Sequence, residues 1–177
     1  MTKEAFLNKK PVIRKVWPIN IIGIKNTVQE TGIQSCYFYG SDRQKITDVF
    51  AVPYKGHLYF QLNGIFENCN KNDRNESSSI HNSFARVILG GGNYFYTEAP
   101  LANAWAQGFA RGGIGAAVGG ALAQSQIHGK GIVWDFKNQE FNIFKNCKIY
   151  NEFMLEIHPE GVLDCKNKHQ NPYLVRK

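Results

Sequence analysis

Nucleophilic and acid–base chemistry needs a histidine or cysteine held in a defined frame, and the chain offers five histidines and four cysteines. His57 falls in a predicted hairpin turn and His158 precedes Pro159, so both read as exposed loop positions. His81, just after a polar run, and His128, at a predicted helix exit, are the candidates to face a cleft. Asp135 or Glu98 would then orient them. Among the thiols, Cys147 is the candidate nucleophile, because a helix N-terminus at that position would lower its pKa; a small packing residue is the plainer reading. Together these residues support a small hydrolase-like enzyme as the second functional reading.

Other chemistries find less support. No serine sits in a GxSxG elbow, and Ser77, Ser78 and Ser79 belong to the polar run. Gly90-Gly91-Gly92-Asn93 has no helix directly after it and no Lys-Ser or Lys-Thr pair, so it reads as a bend and not as a phosphate cradle. Asp42 and Asp48, or Glu152, Glu156 and Glu160, lack calcium-loop spacing. Cys36, Cys69, Cys147 and Cys165 contain no CxxC pair. No metal and no cofactor is expected. The even cysteine count allows two disulfides or four free thiols, and spacing does not choose between them.

The most distinctive spacing belongs to the small residues of 101–123. On a helix, Gly108, Gly112, Gly115 and Gly119 fall on one narrow face, with Ala104 and Ala123 at its ends and Ile114, Val118 and Leu122 beside it. Six glycines, counting Gly113 and Gly120, cost about 6 kcal/mol in helix propensity relative to alanine, comparable to the stability of a whole domain. A close neighbour must offset that cost. The protein's own sheet could supply it, or a protein partner, a second copy of the chain, or a membrane surface could approach the glycine seam as in GxxxG association. A break at Gly112-Gly113 or Gly119-Gly120 is the third alternative. Arg111 and Gln107 next to the apolar run argue against a transmembrane helix.

The remaining elements supply a sheet. A strand is read near 19–24. One hairpin runs from 46–54 through Lys55-Gly56-His57 to 58–66, and a second from 83–89 through the glycine bend to 94–97. Residues 68–79 hold no large apolar side chain and read as an exposed loop. The glycine-rich helix is predicted over 97–127, with Thr97 as its cap, Pro100 in its first turn and Gly129 as its stop. A third hairpin follows over 132–144, then a short amphipathic helix over 147–157 that ends at Pro159 and Gly161. The expected class is α+β: a largely antiparallel sheet of two or three hairpins, one long glycine-rich helix and one short C-terminal helix.

Size and charge fit a single domain spanning 1–177, with loosely ordered ends at 1–12 and 164–177. A net charge of +7 suits an anionic partner, and an anion or nucleic-acid binder is the third reading. The basic residues are scattered, though, and no nucleic-acid motif accompanies them, so nucleic acid is not the expected partner. The N-terminus lacks the apolar core of a secretory signal, and no run of about 20 apolar residues is present. The leading reading is a binding or structural protein that packs its small-residue face against a partner or apolar surface.

The order of Asp48-Val49-Phe50-Ala51, Gly56-His57-Leu58-Tyr59-Phe60, the 84–95 segment with its glycine bend, the small-residue stretch and Ile132-Val133-Trp134-Asp135 resembles uncharacterised envelope-associated proteins of Bacteroidetes. The resemblance implies a location in the cell envelope and carries over no functional residues.

Overall fold

The computed structural model describes residues 1–9, 16–20, 35–78, 80–103 and 130–166. In chain order these form α1 (Lys3–Leu7), β1 (Val16–Asn20), β2 (Ser35–Gly40), β3 (Ala51–Tyr54), β4 (His57–Gln61), α2 (Leu62–Glu67), β5 (Glu76–Ser77), β6 (Phe84–Gly91), β7 (Tyr94–Ala99), β8 (Ala102–Asn103), β9 (Lys130–Asp135), β10 (Glu140–Ile143) and α3 (Cys147–Ile157). Eight strands make one sheet in the order β1-β2-β6-β7-β9-β10, with the β3–β4 hairpin attached through β4 to β6, while β5 and β8 pair separately. All of these pairings are antiparallel.

Alternation along the strands divides the apolar residues between two faces. Phe95, Trp134 and Phe141 lie opposite one another across β7, β9 and β10, and join Phe50, Phe60 and Ile132 in the main core. Phe6 of α1 seals that core: its ring centroid lies 5.1–6.0 Å from those of Phe50, Phe60, Phe95, Trp134 and Phe136. The Thr2 hydroxyl caps α1 by accepting the Ala5 N–H. On the opposite face Tyr96 and Val133 are covered by Tyr150 and Met154 of α3.

The described residues from 97 to 103 do not form the start of the expected long helix. Thr97, Glu98 and Ala99, its expected first turn, belong to β7 and pair with Ile132, Gly131 and Lys130; Ala102 and Asn103 pair with Ser77 and Glu76. The reason is tertiary. Thr97 and Ala99 face the main core side of the sheet while Tyr96 and Glu98 face the other, a division only a strand can make, and Leu101 is fully buried. Residues 104–129, including Gly108, Gly112, Gly115, Gly119 and His128, lie outside the described residues. Among the described residues the longest helix is the 11-residue α3, so the fold is mostly antiparallel sheet with three short helices.

The polar run after α2 also departs from expectation. It closes the outer edge of β10: the Phe141 N–H donates to the Asn68 carbonyl at 2.8 Å, and the Asn70 N–H to the Phe141 carbonyl at 3.0 Å. The Ile143 N–H donates to Asp73 Oδ2 at 2.8 Å. Asp73 and Glu76 are buried there, paired with Lys145 at 2.9 Å and Lys130 at 2.7 Å. A segment without apolar side chains is therefore held by satisfying an open sheet edge.

Candidate functional site

A cleft of about 690 Å³ opens beside the β3–β4 hairpin. Its position follows from the hairpin's geometry. Lys55 and Gly56 both have positive φ, +47° and +79°, the two-residue loop whose twist matches paired strands. Tyr54 and His57 close that loop as a hydrogen-bonded pair, so Pro53 and Leu58 form the next, non-hydrogen-bonded pair, and the Pro53 nitrogen faces outward. Pro53 thus costs the ladder nothing and leaves the outer edge of β3 without a donor. Two residues back, the outward N–H of Ala51 is taken by the Met1 carbonyl at 3.2 Å, which also accepts from Phe50 at 2.9 Å. With its donors absent or used, this edge of β3 bounds a cleft instead of recruiting another strand.

The cleft floor is the margin of a small third core. Cys36, Phe38, Val52 and Phe84 are buried there, and the half-buried Val16, Ile46, Val49 and Tyr54 pack on them while lining the cleft. Buried Gln61 braces this wall, accepting the Val49 N–H at 3.1 Å through Oε1, and the Ile46 N–H bonds the Phe38 carbonyl at 2.8 Å. Burial pushes the Cys36 thiol up to about 12 and raises Tyr59, with Cys36 adding to the latter. Both shifts reflect the apolar surroundings of the third core beneath the cleft.

Polar groups gather at the rim. Lys55 and His57 are exposed at the hairpin tip, and the Lys55 ammonium sits 5.5 Å from the centre of the Tyr54 ring. Thr2, Thr47 and Asp48 also line the cleft. Asp48 has φ +54°, and its Oδ2 accepts the Thr47 hydroxyl at 3.1 Å. The arrangement is an apolar cleft bordered by a few polar side chains, suited to holding a molecule with an apolar body.

The residues singled out from sequence are elsewhere. His81 is exposed in the turn before β6, where its carbonyl accepts the Asn63 N–H at 2.9 Å, and it does not line the cleft. His128 is outside the described residues, so no His81–His128 pair is assembled. Asp135 accepts from Lys137 and Asn138 within its own turn, and Glu98 accepts the Tyr96 hydroxyl at 2.8 Å. Cys147 does open α3, behind Asn146 as cap, but its sulfur is joined to Cys165 and is not available as a thiolate. Cys36 and Cys69 are the free thiols among the described residues.

Among the described residues, His57 is the histidine that lines the cleft, at the turn position that had argued against it. What could have flagged it is the Lys-Gly-His turn flanked by apolar residues on the preceding segment as well as on both strands. Among the described residues no cluster of His, Cys, Asp and Glu could hold a metal ion, and no helix is long and apolar enough to cross a membrane. Comparison with known protein families, curated proteins and solved structures gives no match to this chain.

Proposed function

We propose that this is a binding protein whose cleft beside the β3–β4 hairpin takes a small molecule with an apolar body. The observation that carries the reading is the cleft itself: about 690 Å³, within the roughly 300–1,000 Å³ of small-molecule sites, with an apolar floor and a few polar side chains around it. A braced floor supports a pre-formed site, since Gln61, the Met1 carbonyl and the Phe38 carbonyl already hold its walls. The Cys147–Cys165 disulfide is in keeping with the oxidising surroundings that a cell-envelope location would provide, as the family resemblance implies.

Titration with a neutral, polarity-sensitive naphthylamine dye tests the reading. Enhancement should saturate at one site per chain and be lost in Val49→Trp and Pro53→Trp, whose side chains would fill the cleft. Undiminished dye binding in either variant, once its near-UV circular dichroism shows a folded protein, refutes it.

A further inference from the structure

We infer that the cleft selects apolar molecules carrying a carboxylate head, which Lys55 and His57 at the hairpin tip would receive. This inference rests on the binding reading above and adds the ligand's chemistry to it.

Three observations carry it. The apolar floor formed by Val16, Ile46, Val49 and Val52 is long on contact surface and holds no charge, so a ligand's charge must lie at the rim. At the rim, the hairpin tip places Lys55 and His57, two residues apart and both exposed, in the cleft lining. In the lining, the Asp48 carboxylate accepts the Thr47 hydroxyl and makes no salt bridge with Lys55, whose ammonium sits 5.5 Å from the centre of the Tyr54 ring. The chain's net charge of +7 adds a long-range field of the same sign, favouring the approach of anions. A carboxylate meeting a lysine at a partly desolvated cleft mouth gains a charge-assisted hydrogen bond while its chain covers the apolar floor.

The geometry of the tip also supplies a clean variant. Lys55 sits at positive φ before Gly56, the position where Asn-Gly is the favoured turn sequence, so Lys55→Asn removes the cation while suiting the hairpin. The experiment is displacement of the neutral dye by dodecanoate, dodecanol and dodecyltrimethylammonium at low salt. Dodecanoate should displace it at about a tenfold lower concentration than the other two. Lys55→Asn should remove most of that preference while leaving dodecanol within about twofold of wild type, and Asp48→Asn should strengthen dodecanoate. If the dye binds in the cleft but the three compounds compete equally, or the cationic one competes best, the carboxylate inference is overturned and the binding reading stands. If the preference survives unchanged in Lys55→Asn and in His57→Gln, the hairpin tip does not provide it and the inference is likewise overturned. If the dye does not bind the wild-type protein at all, the binding reading itself fails.

Discussion

Replacing Asp73 by alanine should destabilise the protein by about 2–4 kcal/mol, a large effect for one residue of a polar loop. Asp73 is 3% exposed, and its carboxylate serves three partners: the Ile143 N–H at 2.8 Å, the Asn70 side-chain amide at 2.9 Å and the Lys145 ammonium at 2.9 Å. Losing the acceptor of a buried strand-edge N–H costs about 1–3 kcal/mol. The Lys145 side chain is 27% exposed, so water re-solvates its ammonium and the broken ion pair adds only about 1 kcal/mol. The structure therefore ranks Asp73→Ala worse than Asp73→Asn, in which one oxygen can still accept from Ile143, while Lys145→Met leaves the buried carboxylate without its counter-charge and should cost at least about 1 kcal/mol. Urea unfolding followed by tryptophan fluorescence and far-UV circular dichroism measures all three, with an unchanged m-value expected because the same surface unfolds. An Asp73→Ala cost within about 0.5 kcal/mol of zero, the range of ordinary surface substitutions, would refute the claim that this loop closes the β10 edge. So would equal costs for Asp73→Ala and Asp73→Asn, since an acceptor retained for the Ile143 N–H would then contribute nothing.

Gly131→Ala should cost about 1–3 kcal/mol in thermal or urea unfolding, because its new methyl would lie 2.7 Å from the Phe144 ring and 3.0 Å from the Tyr96 ring, both buried; a neutral result would mean those rings can yield. Thiol titration of the unfolded, unreduced protein should count two thiols, Cys36 and Cys69, rising to four after reduction. Stability should also fall on the alkaline side. Cys36 is raised from about 9 to about 12 by burial, so between these values the unfolded chain loses a proton that the folded one keeps, and unfolding is favoured by up to about 1.4 kcal/mol per pH unit. Cys36→Ala should flatten that limb, and an unaltered slope in urea titrations from pH 9 upward would contradict the burial argument.

Several local features were legible in the residues, although the strand expected over 58–66 gives way to helix α2 at Leu62–Glu67. Lys55-Gly56 marks the first hairpin and Gly92-Asn93 the second, because loops at positive φ have few residue choices. Phe141 and Ile143 alternate with polar neighbours, and Ile149, Phe153 and Ile157 recur at helical spacing, so β10 and α3 followed from periodicity. The cleft did not. Its lining joins Met1, Val16, Ile46 and Leu58, which are brought together only by sheet pairing, and no spacing rule connects them.

The sequence by itself determined where the chain turns and which stretches alternate, since those depend on each residue's own backbone preferences and on neighbours a few positions away. Tertiary structure decided the state of Thr97, Glu98 and Ala99. Their helix signals of cap and proline are weak local biases, overridden once pairing with Ile132, Gly131 and Lys130 offered a full ladder and a buried face. It likewise turned a run of asparagines, aspartate and glutamate from a solvated loop into the cover of a sheet edge. An unpaired backbone donor calls for an acceptor wherever the chain can bring one, and the edge of β10 that made this demand is about 70 residues away in the chain.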